Sequence, residues 1–215
     1  GSDYTGVTTV TIPAGASKVD FTIPTIKDLV TEGTEQFTVK IDSASGGNFE
    51  SVVVSPTLGS VTTSIFEPAP VLDLDANNSS GKTGADYQVT FTEGQAGSGV
   101  SIGDVDLSIT DYDSTLMTGA TVTLTNRMAG DALNLGNSVN GISINAVSTN
   151  DKVTLTLTGT ATIADYIQRL KNITFINTSD DPSSTPRIIT VTVTDGVNTS
   201  NVATTTVNVV PVNDA

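Results

Sequence analysis

Asp73, Asp75 and Asn77 stand at alternate positions in the stretch VLDLDANNSSG, so an extended segment carries all three oxygen-bearing side chains on one side. Carboxylates, amides and backbone carbonyls are the ligands of a hard cation, and Ca2+ takes about six to eight such oxygens, often from loops. An ordinary polar turn explains the same residues, and from Asn78 onward the turn is the preferred reading.

Two further places put carboxylates where strands run out. In DYQVTFTEG the inward-facing series Tyr87, Val89, Phe91 continues in parity to Glu93. A carboxylate emerging from the core side needs compensation, and a metal ion supplies it. In DVDLSITDYDS the inward series Val105, Leu107, Ile109 continues to Asp111 and Asp113, whereas Asp104 and Asp106 point the other way and read as solvated surface. Asp195 in VTDG and Asp214 in VNDA have weaker cases: the first suits a hairpin turn and the second an interdomain linker. Asp180 and Asp181 read as a polar loop.

Catalytic alternatives have little support. The chain has no histidine and no cysteine, which removes the common nucleophile and base pairs and all thiolate metal sites. Ser79 and Lys82 have Ser-x-x-Lys spacing without the helix that motif requires. Paired carboxylates can hydrolyse glycosides, but the chain has no tryptophan to grip a sugar. The expectation is a protein that is not an enzyme.

Nine basic residues against 23 acidic ones give a net charge of −14. That sign repels nucleic acid and anionic membrane surfaces and favours cations. Only Glu32, Glu35, Glu50, Glu67 and Glu93 are glutamate, and the other 18 acidic residues are aspartate, the acid of turns and short-armed coordination. No apolar run approaches the roughly 20 residues that span a bilayer, so no membrane insertion is expected of this segment.

The elements that must carry these loops are strands. VTLTLTG places Val153, Leu155 and Leu157 on one face, and IITVTVTDG does the same with Ile189, Val191 and Val193. Similar runs surround Val10 and Ile12, Val19 to Ile23, Phe37 to Ile41, Val52 to Val54, Tyr87 to Phe91, Val105 to Ile109, Val122 to Leu124 and Val202 to Val209. Gly, Asn, Asp, Ser and Pro clusters separate them, as in β-sandwiches. The fold class is all-β, with two tandem antiparallel Ig-like or cadherin-like sandwiches. One short helix breaks the pattern in TIADYIQRLKN, where Ile163, Ile167 and Leu170 have helical spacing and Thr162 with Asp165 forms a capping box. Pro68 and Pro70 mark the boundary, giving domains 1–68 and 69–215. The first is small for a closed sandwich and supplies about five strands, so preceding strands or another chain are expected to complete it.

Residues 1–68 resemble the C-terminal part of a Calx-β repeat through GSDYTG, IPAGASKVDFTIP and IKDLVTEGTEQFTVKI. In calcium-binding members of that family, acidic loops at one end hold the ion. The resemblance implies Asp3, Asp28, Glu32 and Glu67 as ligands here. Lys27 replaces the first residue of the usual acidic pair, and the terminal acidic triplet is reduced to IFEP. Residues 71–215 are similar to the cadherin-like repeats of large repetitive bacterial RTX adhesins, through LDLDANNSSG, DYQVTFTEG, ITDYDS, LTGTATIADYIQRLKNITFINTSDDP, RIITVTVTDGVNTSNVATTTVNV and VNDA. That resemblance also selects Asp111 and Asp113 as ligands.

The combined expectation is a calcium-stabilised, non-catalytic extender or scaffold in a secreted or surface-anchored adhesin, serving cell adhesion or biofilm formation. Its partners would be neighbouring repeats of the same large chain, with calcium at the LDLDANN link between sandwiches. The alternative is a ligand-binding module that recognises a peptide or glycan on another cell, with binding loops in residues 126 to 150.

Overall fold

The computed structural model describes residues 3–27, 32–95 and 99–213. The chain forms two compact units, Gly1–Glu67 and Pro68–Ala215. It is all-β and sandwich-like, with a single short helix among the described residues.

The first unit has one two-stranded antiparallel sheet, β1 (Glu35–Lys40) against β2 (Ser60–Ile65), in the register Phe37 to Thr63. Tyr4 bridges to Thr25, and its ring stacks on Phe37 with centroids 4.4 Å apart. The alternating runs around Val10, Phe21 and Val52 form no strands, and those three side chains are exposed. Alternation makes a strand only where a neighbour pairs its backbone and covers its apolar face. Among the described residues of this unit none is buried, so those faces have no such cover.

The second unit opposes a large sheet to a smaller layer. Its remaining strands are β3 (Val71–Asp73), β4 (Tyr87–Thr92), β5 (Val100–Ser101), β6 (Ser108–Thr110), β7 (Leu116–Leu124), β8 (Asp131–Asn134), β9 (Ser143–Ser148), β10 (Val153–Thr162), β11 (Thr174–Asn177), β12 (Arg187–Thr194) and β13 (Ala203–Val210). Six strands run in the order β4-β13-β12-β7-β10-β9, and facing them are the sheets β5-β11-β8 and β3-β6. Leu155, Leu157, Val122, Val191 and Val207 fill the core from the large sheet, and Leu72, Ile109, Leu133 and Phe175 from the other layer. Phe91 meets Phe175 edge-on at 5.5 Å. The segment 126 to 150 contains β8 and β9, so its strands belong to the sandwich.

Pairing is antiparallel throughout except between β4 and β13, which run parallel from Tyr87 beside Thr205 to Thr92 beside Val210. The side chain of Asn201 brackets Leu72, donating to its carbonyl at 2.9 Å and accepting from its N–H at 3.0 Å. Leu72 therefore lies near the start of β13, while the chain leaves at the far end of the same strand. These proximal and distal ends are separated by the length of β13, roughly 23 Å.

The helix α1 (Ile163–Lys171) begins at the expected cap: Asp165 N–H donates to the Thr162 hydroxyl at 3.2 Å, and Thr162 N–H donates back to the Asp165 carboxylate. Ile163 and Ile167 pack against the core beside fully buried Leu170 and Tyr166. A shift in the pairing of β10 with β7 between Thr158 and Ala161 turns the chain into this helix. Gly159 sits in that shift with φ +128°, where a Cβ would stand 1.8 Å from the Gly141 carbonyl, so only glycine fits. Its own carbonyl accepts the Tyr166 hydroxyl at 2.7 Å.

Candidate metal centre

Asp111 and Asp113 lie in the β6–β7 connection, immediately after Thr110, which pairs with Val71. Asp195 begins the β12–β13 connection, which ends near Asn201. Both connections belong to the proximal end. They bring one carboxylate oxygen from each of Asp111, Asp113 and Asp195 within 4.8 Å of one another.

These groups are poorly solvated. Asp195 is 6% exposed. Its Oδ1 accepts the N–H groups of Val197 and Asn198, each at 2.7 Å, while its Oδ2 is buried with no hydrogen-bond partner. Gly196, at φ +110°, allows the turn that aims those two amides at one oxygen and leaves the other toward the cluster. Asp113 N–H donates to Asp111 Oδ1 at 3.4 Å, and Asp111 Oδ2 is buried without a partner. Burial, a side-chain hydrogen bond to Asp113 and the negative charges of Asp113 and Asp195 push the Asp111 carboxyl up to about 6. Unpartnered buried carboxylate oxygens facing one another are costly, and a divalent cation between them would supply the missing charge and contacts.

A second acidic group joins Asp75, Asp104 and Asp106, again with oxygens within 4.8 Å. Here the carboxylates hold loops together. Asp75 is fully buried, and its Oδ1 accepts Ser79 N–H at 3.0 Å while its Oδ2 accepts Ser80 N–H at 2.9 Å. Burial raises its carboxyl, but the hydrogen bonds from Ser80 and Ser79 outweigh this and leave it below the usual range. Asp104 accepts the Ser79 hydroxyl at 2.8 Å, and Asp106 accepts Asn77 N–H at 2.9 Å. The expected strand through Val105 is interrupted by a turn at Val105 and Asp106, closed by Leu107 N–H on the Asp104 carbonyl at 3.2 Å, which places Val105 at 83% exposure and brings Asp104 and Asp106 toward Asp75 as half-buried groups. Parity counted from Leu107 and Ile109 does not pass through that turn.

The remaining candidates are dispersed. Asp73 Oδ1 accepts Asp75 N–H at 3.0 Å, and Asn77 Oδ1 accepts Ser79 N–H at 2.7 Å, so both close local turns. Glu93 stands at the distal end, where its Oε2 accepts Val212 N–H at 2.7 Å and its Oε1 is buried without a partner. In the first unit Asp3, Glu32 and Glu35 form a third group within the same distance. A hydrogen bond to Asp3 and the Asp3 charge raise the Glu35 carboxyl. Glu67 is half-buried at the end of that unit. Asp28 and Asp214 lie outside the described residues.

Sequence reasoning paired Asp111 with Asp113 but ranked Asp195 low, because TDG reads equally well as a tight turn. Residues 195–202 in fact separate β12 from β13, and that longer loop lets Asp195 reach back to the β6–β7 connection.

Residues 5–67 match the family model of the LapA domain, a family of bacterial adhesins. No curated protein matches the chain. Among the described residues no helix is long and apolar enough to cross a membrane. The segment matched to the adhesin family thus falls within the first unit, and the best-enclosed acidic cluster belongs to the second.

Proposed function

We propose that the chain is a non-catalytic, calcium-stabilised segment of a large secreted or cell-surface bacterial adhesin, acting as an extender in cell adhesion or biofilm formation. The observation that carries the calcium reading is Asp195 Oδ2, a buried carboxylate oxygen without a partner in a cluster with Asp111 and Asp113. A loop cluster of this kind suits Ca2+, whose oxygen shell tolerates irregular geometry and bidentate carboxylates, better than Mg2+ with its strict octahedron.

The adhesin match over residues 5–67 supports the setting. The path of the second unit supports the extender role, since its chain arrives at one end of β13 and leaves at the other. A module with this path adds its own length to a tandem array. The reading includes the Calx-β character of the first unit, the RTX cadherin-like character of the second, and neighbouring repeats of the same chain as partners. A cation bound only by the folded form stabilises it in proportion to its concentration above Kd, which suits a chain with no disulfides.

The test is thermal unfolding of the purified chain in millimolar calcium and in excess chelator, with magnesium as the control. A calcium-specific rise in melting temperature supports the reading. Equal melting in all three conditions overturns its calcium part.

A further inference from the structure

The last strand of the large sheet, β9, carries no protection on its outer side. It pairs with β10 without a register shift, from Ser148 beside Val153 to Ser143 beside Thr158. Among the described residues no strand pairs with its other side. Exposed edges are commonly blunted by charge, proline, a bulge or extreme shortness. The sequence SINAVS over six residues has none of these. At the opposite edge of the sheet, by contrast, the Ser80 hydroxyl takes the Gln88 N–H at 3.1 Å.

The hairpin fixes which groups are free. Thr149 N–H donates to the Lys152 carbonyl at 2.9 Å. Alternation along an antiparallel ladder then turns the amides and carbonyls of Val147, Asn145 and Ser143 toward β10. Those of Ile144, Ala146 and Ser148 point outward. Ala146 and Ser148 also sit opposite the core residues Leu155 and Val153 yet are exposed. The strand therefore overhangs the opposing layer, leaving part of its core-facing side uncovered.

We propose that this edge docks β9 of a second copy of the chain, antiparallel about a two-fold axis at Ala146. In that arrangement Ala146 faces its counterpart and Ile144 faces Ser148 of the second copy. All three outward amides and all three outward carbonyls of each strand gain partners, so the strand complements itself and the interface is isologous. The small alanine side chain at the axis meets no bulk. Charge favours this occupant as well. Two chains of net charge −14 approach with least repulsion where neither carries acid, and the strip beside β9 is neutral: Asn145, Thr156, Thr121 and Thr192 stand side by side on the outer face. The nearest charges along the chain, Asp151 and Lys152 at the hairpin turn, are opposite in sign, and continuing the same register sets Asp151 beside Gly141 of the other copy.

Sedimentation equilibrium of the full chain from micromolar to millimolar concentration, with backbone hydrogen exchange over residues 143–148, tests this. The expected result is a reversible dimer whose formation slows exchange at Ile144, Ala146 and Ser148. Ala146→Pro removes an outward N–H that β10 does not use, and Ala146→Lys sets two like charges at the axis. Each should weaken dimerisation by about tenfold or more while the monomer melts like the wild type. A wild-type chain that stays monomeric throughout overturns the proposal. So does a dimer insensitive to both substitutions, which places the contact elsewhere, and so does slow exchange at those amides independent of concentration, which assigns the edge to another segment of the same chain.

Discussion

Asp111 and Asp195 leave different strands, β6 and β12, and converge at the proximal end of the second unit with carboxylate oxygens no more than 4.8 Å apart. Among the described residues neither has a basic partner, and each keeps one buried oxygen without a hydrogen bond. Like charges held this way oppose folding unless a proton or a cation intervenes.

The proton arm of that balance is measurable. Asp111 has its carboxyl pushed up to about 6 from an ordinary 3.8. Below 3.8 both folded and unfolded chains hold the proton, and between 3.8 and 6 only the folded chain holds it. The contribution of Asp111 to stability is therefore fully present at low pH and lost as pH rises through 6. In chelator, denaturant midpoints should fall as pH is raised from 4 to 7. Saturating calcium should remove or reverse that slope, because the cation replaces the proton. A midpoint that rises over this range in chelator would contradict the assignment.

The cation arm is tested by Asp195→Asn. The amide keeps an oxygen for the Val197 and Asn198 N–H groups and removes one negative charge from the cluster. In chelator the variant should be as stable as the wild type or slightly more so. In calcium it should lose most of the stabilisation, which amounts to about 2.7 kcal/mol when calcium exceeds Kd a hundredfold. Calorimetric titration with calcium alone reads the lost affinity directly. A variant that binds calcium as tightly as the wild type would remove Asp195 from the site.

Asp75 should behave in the opposite way. Its two oxygens accept the main-chain N–H groups of Ser79 and Ser80, and alanine leaves the Ser80 N–H unmet and the Ser79 N–H with Asn77 Oδ1 alone. Asp75→Ala is expected to cost about 3 kcal/mol, by a similar amount in calcium and in chelator. Urea unfolding in both conditions distinguishes a loop lock from a ligand: a loss confined to calcium would make Asp75 a ligand after all.

What could be read from the chain and what could not follow from the range of the interactions. The helix was legible because its signals are local: Thr162, Asp165 and the spacing of Ile163, Ile167 and Leu170 all lie within one short segment. The strands Val153–Thr162 and Arg187–Thr194 were legible because alternation survives wherever a sheet neighbour uses it. The runs around Val10 and Val52 alternate equally well but have no such neighbour among the described residues, and alternation cannot report that. Asp111 and Asp113 stood out through parity at a strand end, whereas the approach of Asp195 depends on β7 and β12 pairing from Gly119 beside Thr194 to Leu124 beside Ile189. Asp104 and Asp106 were misplaced by one unforeseen turn, since parity is lost wherever a strand stops.

The same long-range character holds for Asp131 and Arg187, which form a buried ion pair in the second unit. Their side chains are fully buried and meet at 2.8 Å through Arg187 Nε and Asp131 Oδ2. Arg187 also donates to the carbonyls of Ser183 and Thr185, and Asp131 accepts from Asn177 Nδ2 at 2.7 Å and Met128 N–H at 2.8 Å. The pair thus fastens the loop before β12 to β8 and β11. Asp131→Ala strands a buried guanidinium and should destabilise the unit by about 3–5 kcal/mol. Replacing both partners, Asp131→Leu with Arg187→Met, removes both charges together and should recover much of that loss. Chemical unfolding of the single and double variants checks this: a double variant no more stable than Asp131→Ala would show that the hydrogen bonds to Ser183, Thr185 and Asn177, more than the paired charges, hold the loop in place.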